Sequence, residues 1–82
     1  MTVSADSIRT TILKLLEHRG PDKTICPSEV ARALSAEAWR ELMPAVRATG
    51  IDLVAEGHIV ATQKGQVVEP KTVKGPIRYG QA

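Results

Sequence analysis

The 82-residue sequence has no phenylalanine, and its aromatic content is one tryptophan, Trp39, and one tyrosine, Tyr79. It has a single cysteine, Cys26. One thiol cannot close an internal disulfide, and without a second there is no thiolate zinc cluster. Nowhere does an apolar run approach the roughly 18 residues that mark a membrane-spanning helix. The stretch Met1 to Thr11 is polar and interrupted by Asp6 and Arg9, so it lacks the apolar centre of a secretory signal, and the expected location is cytoplasmic. Also missing are a glycine-rich phosphate loop, a Gly-x-Ser-x-Gly elbow and a dinucleotide fingerprint. The expectation is a protein that binds rather than catalyses, with no membrane association, no cofactor and no metal.

What is present is an ordinary apolar share, 43%, carried by Ile, Leu, Val and Ala. A chain of this length has room for one domain and hides only about 60% of the surface its unfolded form exposes, so apolar packing must suffice with a thin margin. Charge is uneven. Residues 1–56 carry seven Lys/Arg against eight Asp/Glu, whereas residues 57–82 carry Lys64, Lys71, Lys74 and Arg78 against Glu69 alone. A locally basic end attracts polyanions, weakly at this count.

Ile8, Ile12, Leu15 and Leu16 recur at helical spacing, which predicts an amphipathic helix over about Ser7 to Arg19. Ser4 or Asp6 is placed to cap it, and Gly20-Pro21 to end it. Thr24-Ile25-Cys26 is a β-leaning triplet. Pro27 opens a second, short helix to Leu34, with Glu29 near its positive end and Val30, Ala31 and Leu34 facing inward. Ser35 to Ala38 reads equally as a turn or a helix start. A third helix follows from Trp39, through Leu42, Met43, Val46, Leu53 and Val54, to about Glu56; the amide missing at Pro44 favours a start near Glu41. His58–Gln63 and Gln66–Glu69 flank Lys64-Gly65 as a hairpin. Beyond Pro70, residues 71–82 read as an extended basic tail, with Ile77 and Tyr79 folding back onto the core.

Helix, short strand, two helices and a hairpin make an α+β winged helix-turn-helix plan, mainly α, over residues 1–82. The sequence also resembles a bacterial family called domain of unknown function 3253. The resemblance rests on Thr24-Ile25-Cys26-Pro27-Ser28-Glu29-Val30-Ala31, Trp39-Arg40, Leu42-Met43, Val46-Arg47, Gly57-His58-Ile59, Thr62-Gln63-Lys64-Gly65 and Gly75-Pro76-Ile77-Arg78. It implies a winged-helix-like fold and brings no function with it.

In such a plan the third helix enters the major groove and the wing follows the phosphates. The residues expected to contact nucleic acid are Arg40, Arg47 and Thr49 on that helix, Gln63 and Lys64 at the wing, and Lys74 and Arg78 in the tail. The expected process is transcriptional regulation, and a homodimer is left open because such proteins often read two half-sites. Asp52 and Glu56 oppose a polyanion on the same helix. That opposition keeps a second reading alongside the first, a protein-interaction module that uses the same scaffold without nucleic acid. Trp39 is expected in the core. Cys26 is expected to be a small buried thiol, since nothing brings His18 or His58 to it.

Overall fold

Ser4 opens the first helix, α1 (Ala5–Arg19): its side-chain oxygen accepts from the Ser7 amide at 3.1 Å, satisfying one of the amides a helix start leaves free. The cap therefore lies two residues earlier than the apolar periodicity alone implies. Ile8, Ile12 and Leu16, four apart, form its buried stripe. The computed structural model that establishes these contacts describes residues 3–82.

After α1 come β1 (Thr24–Ile25), α2 (Pro27–Leu34), α3 (Trp39–Ala55), β2 (Ile59–Gln63), β3 (Gln66–Val68) and β4 (Arg78–Gln81). Proline at the first position of α2 loses no hydrogen bond. The Ser35 oxygen accepts from the Ala38 amide at 3.0 Å, which settles the intervening segment as a turn. Helix α3 begins at Trp39, not near Glu41, and carries Pro44 inside it. The missing amide leaves the carbonyl of Arg40 without its helical partner, a modest loss because Arg40 is exposed.

Strand β4 is where the structure departs most from the sequence reading. The four strands are antiparallel in the order β1-β4-β2-β3, so Arg78–Gln81 pairs with β1 on one side and β2 on the other. The end of the chain is thus an interior strand and not an extended tail. Pro76 precedes it and leaves its ladder intact. At Gly80 the Thr24 and Val60 side-chain carbons stand 3.4 and 3.6 Å from where a Cβ would project, an ordinary van der Waals separation. The Lys64-Gly65 turn between β2 and β3 has φ of 53° and 78°, the left-handed pair that suits a two-residue hairpin.

Three helices against a four-stranded antiparallel sheet make an α+β, winged-helix-like fold. Its core joins Ile8, Ile12 and Leu16 to Ile25, Val30, Ala31, Val46, Leu53, Ile59, Ala61, Ile77 and Tyr79. Each buried Ile, Leu or Val contributes about 1.5–3 kcal/mol relative to exposure. Trp39, Leu42 and Met43 pack against this core only partly buried.

Tyr79 is fully buried, yet among the described residues its hydroxyl has no hydrogen-bond partner. The ring lies on the backbone of α3 at Gly50, and burial pushes the phenol up from its ordinary pKa while the Arg47 charge works the other way. A buried hydroxyl without a partner costs about 1–3 kcal/mol. Tyr79→Phe is therefore expected to leave stability unchanged or to raise it by up to about 1 kcal/mol in urea denaturation. A loss larger than that would show the hydroxyl to be bonded.

Candidate nucleic-acid interface

The six arginines divide into two groups. Arg9 forks onto Glu56, at 3.0 and 2.8 Å, and ties α1 to the end of α3. Arg19 reaches Glu29 at 2.5 Å and the Thr24 carbonyl at 3.2 Å. Arg78 holds the Thr24 hydroxyl and carbonyl at 2.6 and 3.1 Å and stands 3.9 Å from Glu29. These three are joints of the fold. Partial burial of Glu29 pushes its pKa up, but hydrogen bonds from Arg19 and from the Cys26 amide and thiol prevail and hold it below the ordinary value. The hydrogen bond from Arg9 likewise lowers Glu56.

Arg32, Arg40 and Arg47 form the other group. All three are exposed, and among the described residues none pairs with a carboxylate. Arg32 lies in the last turn of α2, and Arg40 and Arg47 stand seven residues apart on α3, about 10.5 Å along its axis and on nearly the same side. The Arg32 and Arg40 guanidinium carbons lie 4.3 and 4.5 Å from the centroid of the Trp39 ring. Each contact is worth about 0.5–1 kcal/mol at an exposed site. The ring thereby holds two like charges within about 9 Å of each other. An arriving anion would relieve their repulsion.

Not every residue expected at the interface is available to it. Thr49 is buried, 6% exposed, because Val46, Thr49, Gly50 and Leu53 share the inner face of α3 at helical spacing. It cannot contact bases. The Gln63 side-chain amide donates to the carbonyls of Lys74 and Pro76 at 2.7 and 3.2 Å and so braces the loop before β4. Arg78, expected to be free, is engaged by Thr24 and Glu29 because β4 lies beside β1. Lys64 at the hairpin tip and Lys74 in the following loop are exposed. Glu56, expected to oppose a polyanion, is instead neutralised by Arg9. Arg32 was not anticipated, and only its outward position beside Val30 and Ala31 hints at it.

The Cys26 thiol lies 3.1 Å from the Ser28 hydroxyl and 3.5 Å from a Glu29 carboxylate oxygen, so its hydrogen-bonding neighbours include neither histidine. Among the described residues no group of three His, Cys, Asp or Glu side chains could hold a metal. No described helix is long and apolar enough to cross a membrane.

The chain matches the family described as protein of unknown function (DUF3253) over residues 5–82. It belongs to that family. A comparison with curated proteins gave no match. The family match covers α1 to β4, so both the ion-paired joints and the three unpaired arginines fall within the shared domain.

Proposed function

We propose that this domain binds nucleic acid through α2, α3 and the hairpin tip. The observation that carries the reading is the division of the arginines. Those that build the fold are neutralised by carboxylates, while among the described residues Arg32, Arg40 and Arg47, on the two helices that a helix-turn-helix presents to DNA, pair with none. Arg32 and Arg40, held against Trp39, are suited to phosphates; Arg47 is placed for a phosphate or a guanine edge. Lys64 adds a fourth cation at the hairpin tip. Regulation of transcription is the process such binding would serve.

Four phosphate contacts give an expected slope of about −3 to −4 in log K against log salt, and a nonspecific Kd of roughly 1–100 μM at physiological salt. Fluorescence anisotropy of a labelled random duplex at low salt is the test. A flat signal up to high micromolar protein would remove the proposal. Replacing either Arg40 or Arg47 by glutamine should weaken binding across sequences and make the slope shallower by about 1.

One observation favours a protein partner instead. Pro44, Ala45 and Ala48 are exposed on α3 between Glu41 and Asp52, a smoother and less cationic surface than DNA readers usually offer. The same titration separates the two readings, because a protein-only module leaves the duplex unbound.

A further inference from the structure

Away from the arginine face, a cleft of about 350 Å³ lies at the base of the hairpin. We propose that it binds a small organic anion with a flat apolar body. The site does not depend on nucleic-acid binding and shares only Lys64 with the proposed interface.

The cleft is built by the same contacts that fix the end of the sheet. Gln63 pins the loop before β4 through the Lys74 and Pro76 carbonyls, and Gly75, with φ of 94°, turns the chain beneath that amide. Pro76 and Ile77 are thereby set as one wall, facing Thr62 and Lys64 from the hairpin. Arg78 completes the lining, held in place by its two bonds to Thr24. Those bonds use Nε and Nη2. Among the described residues Nη1 has no partner, and neither does the ammonium of Lys64.

The exposed lining is mostly apolar, its two charged residues are both cations, and no carboxylate contributes to it. Glu29, 3.9 Å from Arg78, is the nearest acid the structure places by that cation, and it is already paired with Arg19. The volume falls within the range of small-molecule sites and accommodates about a dozen water-sized groups, the size of a fused bicyclic carboxylate. A phosphodiester backbone matches it poorly, because apolar walls would desolvate the strand without compensating it.

The test uses the whole chain and two probes that share a ring system, 2-naphthoate and the uncharged 2-naphthylmethanol, followed by amide chemical shifts. The expected result is a shift pattern centred on Cys26, Thr62 to Lys64 and Ile77-Arg78, with the carboxylate binding about fivefold to tenfold tighter than the alcohol. Lys64→Asn, whose side chain tolerates the left-handed turn, should lose much of that preference and keep the fold. The proposal is overturned if neither probe shifts these amides at millimolar concentration, if the shifts lie elsewhere, or if both probes bind equally. The probe comparison on the unaltered chain decides the matter even without the variant.

Discussion

Replacing Gly50 by alanine is expected to destabilise the domain by about 1–2 kcal/mol, although the same change in a solvent-facing helix interior would stabilise by about 1 kcal/mol. The sign reverses because a Cβ at Gly50 would meet the Tyr79 ring, 2.5 Å from Cζ and closer still to the hydroxyl oxygen. Neither side can readily yield. Gly50 is in the middle of α3, and Tyr79 is pinned between β1 and β2. Forcing an extra carbon into such a contact costs about 1–3 kcal/mol and sometimes more, against a total stability of roughly 4–12 kcal/mol for a domain of this size. Urea denaturation should show a lower midpoint. Combining Gly50→Ala with Tyr79→Leu should restore part of the loss, because the clash disappears with the ring and the two changes are then strongly non-additive. An alanine variant as stable as the parent would mean that β4 does not lie over α3 as described.

Loss of Glu29 is the second change with a large expected effect. One carboxylate accepts from the Cys26 amide at the start of α2 and from Arg19 at the end of α1, and it stands 3.9 Å from Arg78 in β4. Glu29→Ala removes half of a capping box, worth about 1 kcal/mol. The partly solvated ion pairs add less than about 1 kcal/mol. The expected total is about 1–2 kcal/mol by denaturation. Glu29→Gln keeps an acceptor for the amide and removes only the charge, so it should lose less. The pH dependence has a definite sign. The folded pKa of Glu29 lies below its ordinary value near 4.5, so its charge contribution is present above that value and is lost as pH falls through the folded one. Stability of the parent should therefore decline below about pH 4.5, and that of Glu29→Gln should decline less steeply. Glu56, lowered in the same direction by Arg9, leaves a residual slope in the variant.

Local physics made much of this fold readable from sequence. The apolar spacing of α1, the proline that opens α2 and the Lys64-Gly65 turn each act within a few residues, and each stands as expected. Strand β4 was hidden because its partners, Thr24-Ile25 and Ile59 to Thr62, lie far off in sequence, while Pro76 and Gly80 within the segment read as interruptions. That one non-local pairing also removed Arg78 from the interface. Thr49 differs in being locally determined. Its place with Val46, Gly50 and Leu53 follows from a period of 3.6, which turns its hydroxyl inward with the buried face of α3. The pairing of Arg32 with Arg40 on Trp39 depends on the Ser35 to Ala38 turn, whose path periodicity does not specify.

Trp39 is the only tryptophan, so its fluorescence reports directly on the arginine pair that the proposed function rests on. Titrating an unlabelled random duplex into the protein at low salt should give a saturable change in that fluorescence. Added salt should reverse it, and it should be greatly weakened in a variant carrying Arg32→Gln and Arg40→Gln. An emission that stays constant while anisotropy reports binding, or a double variant that binds as the parent does, would contradict the account.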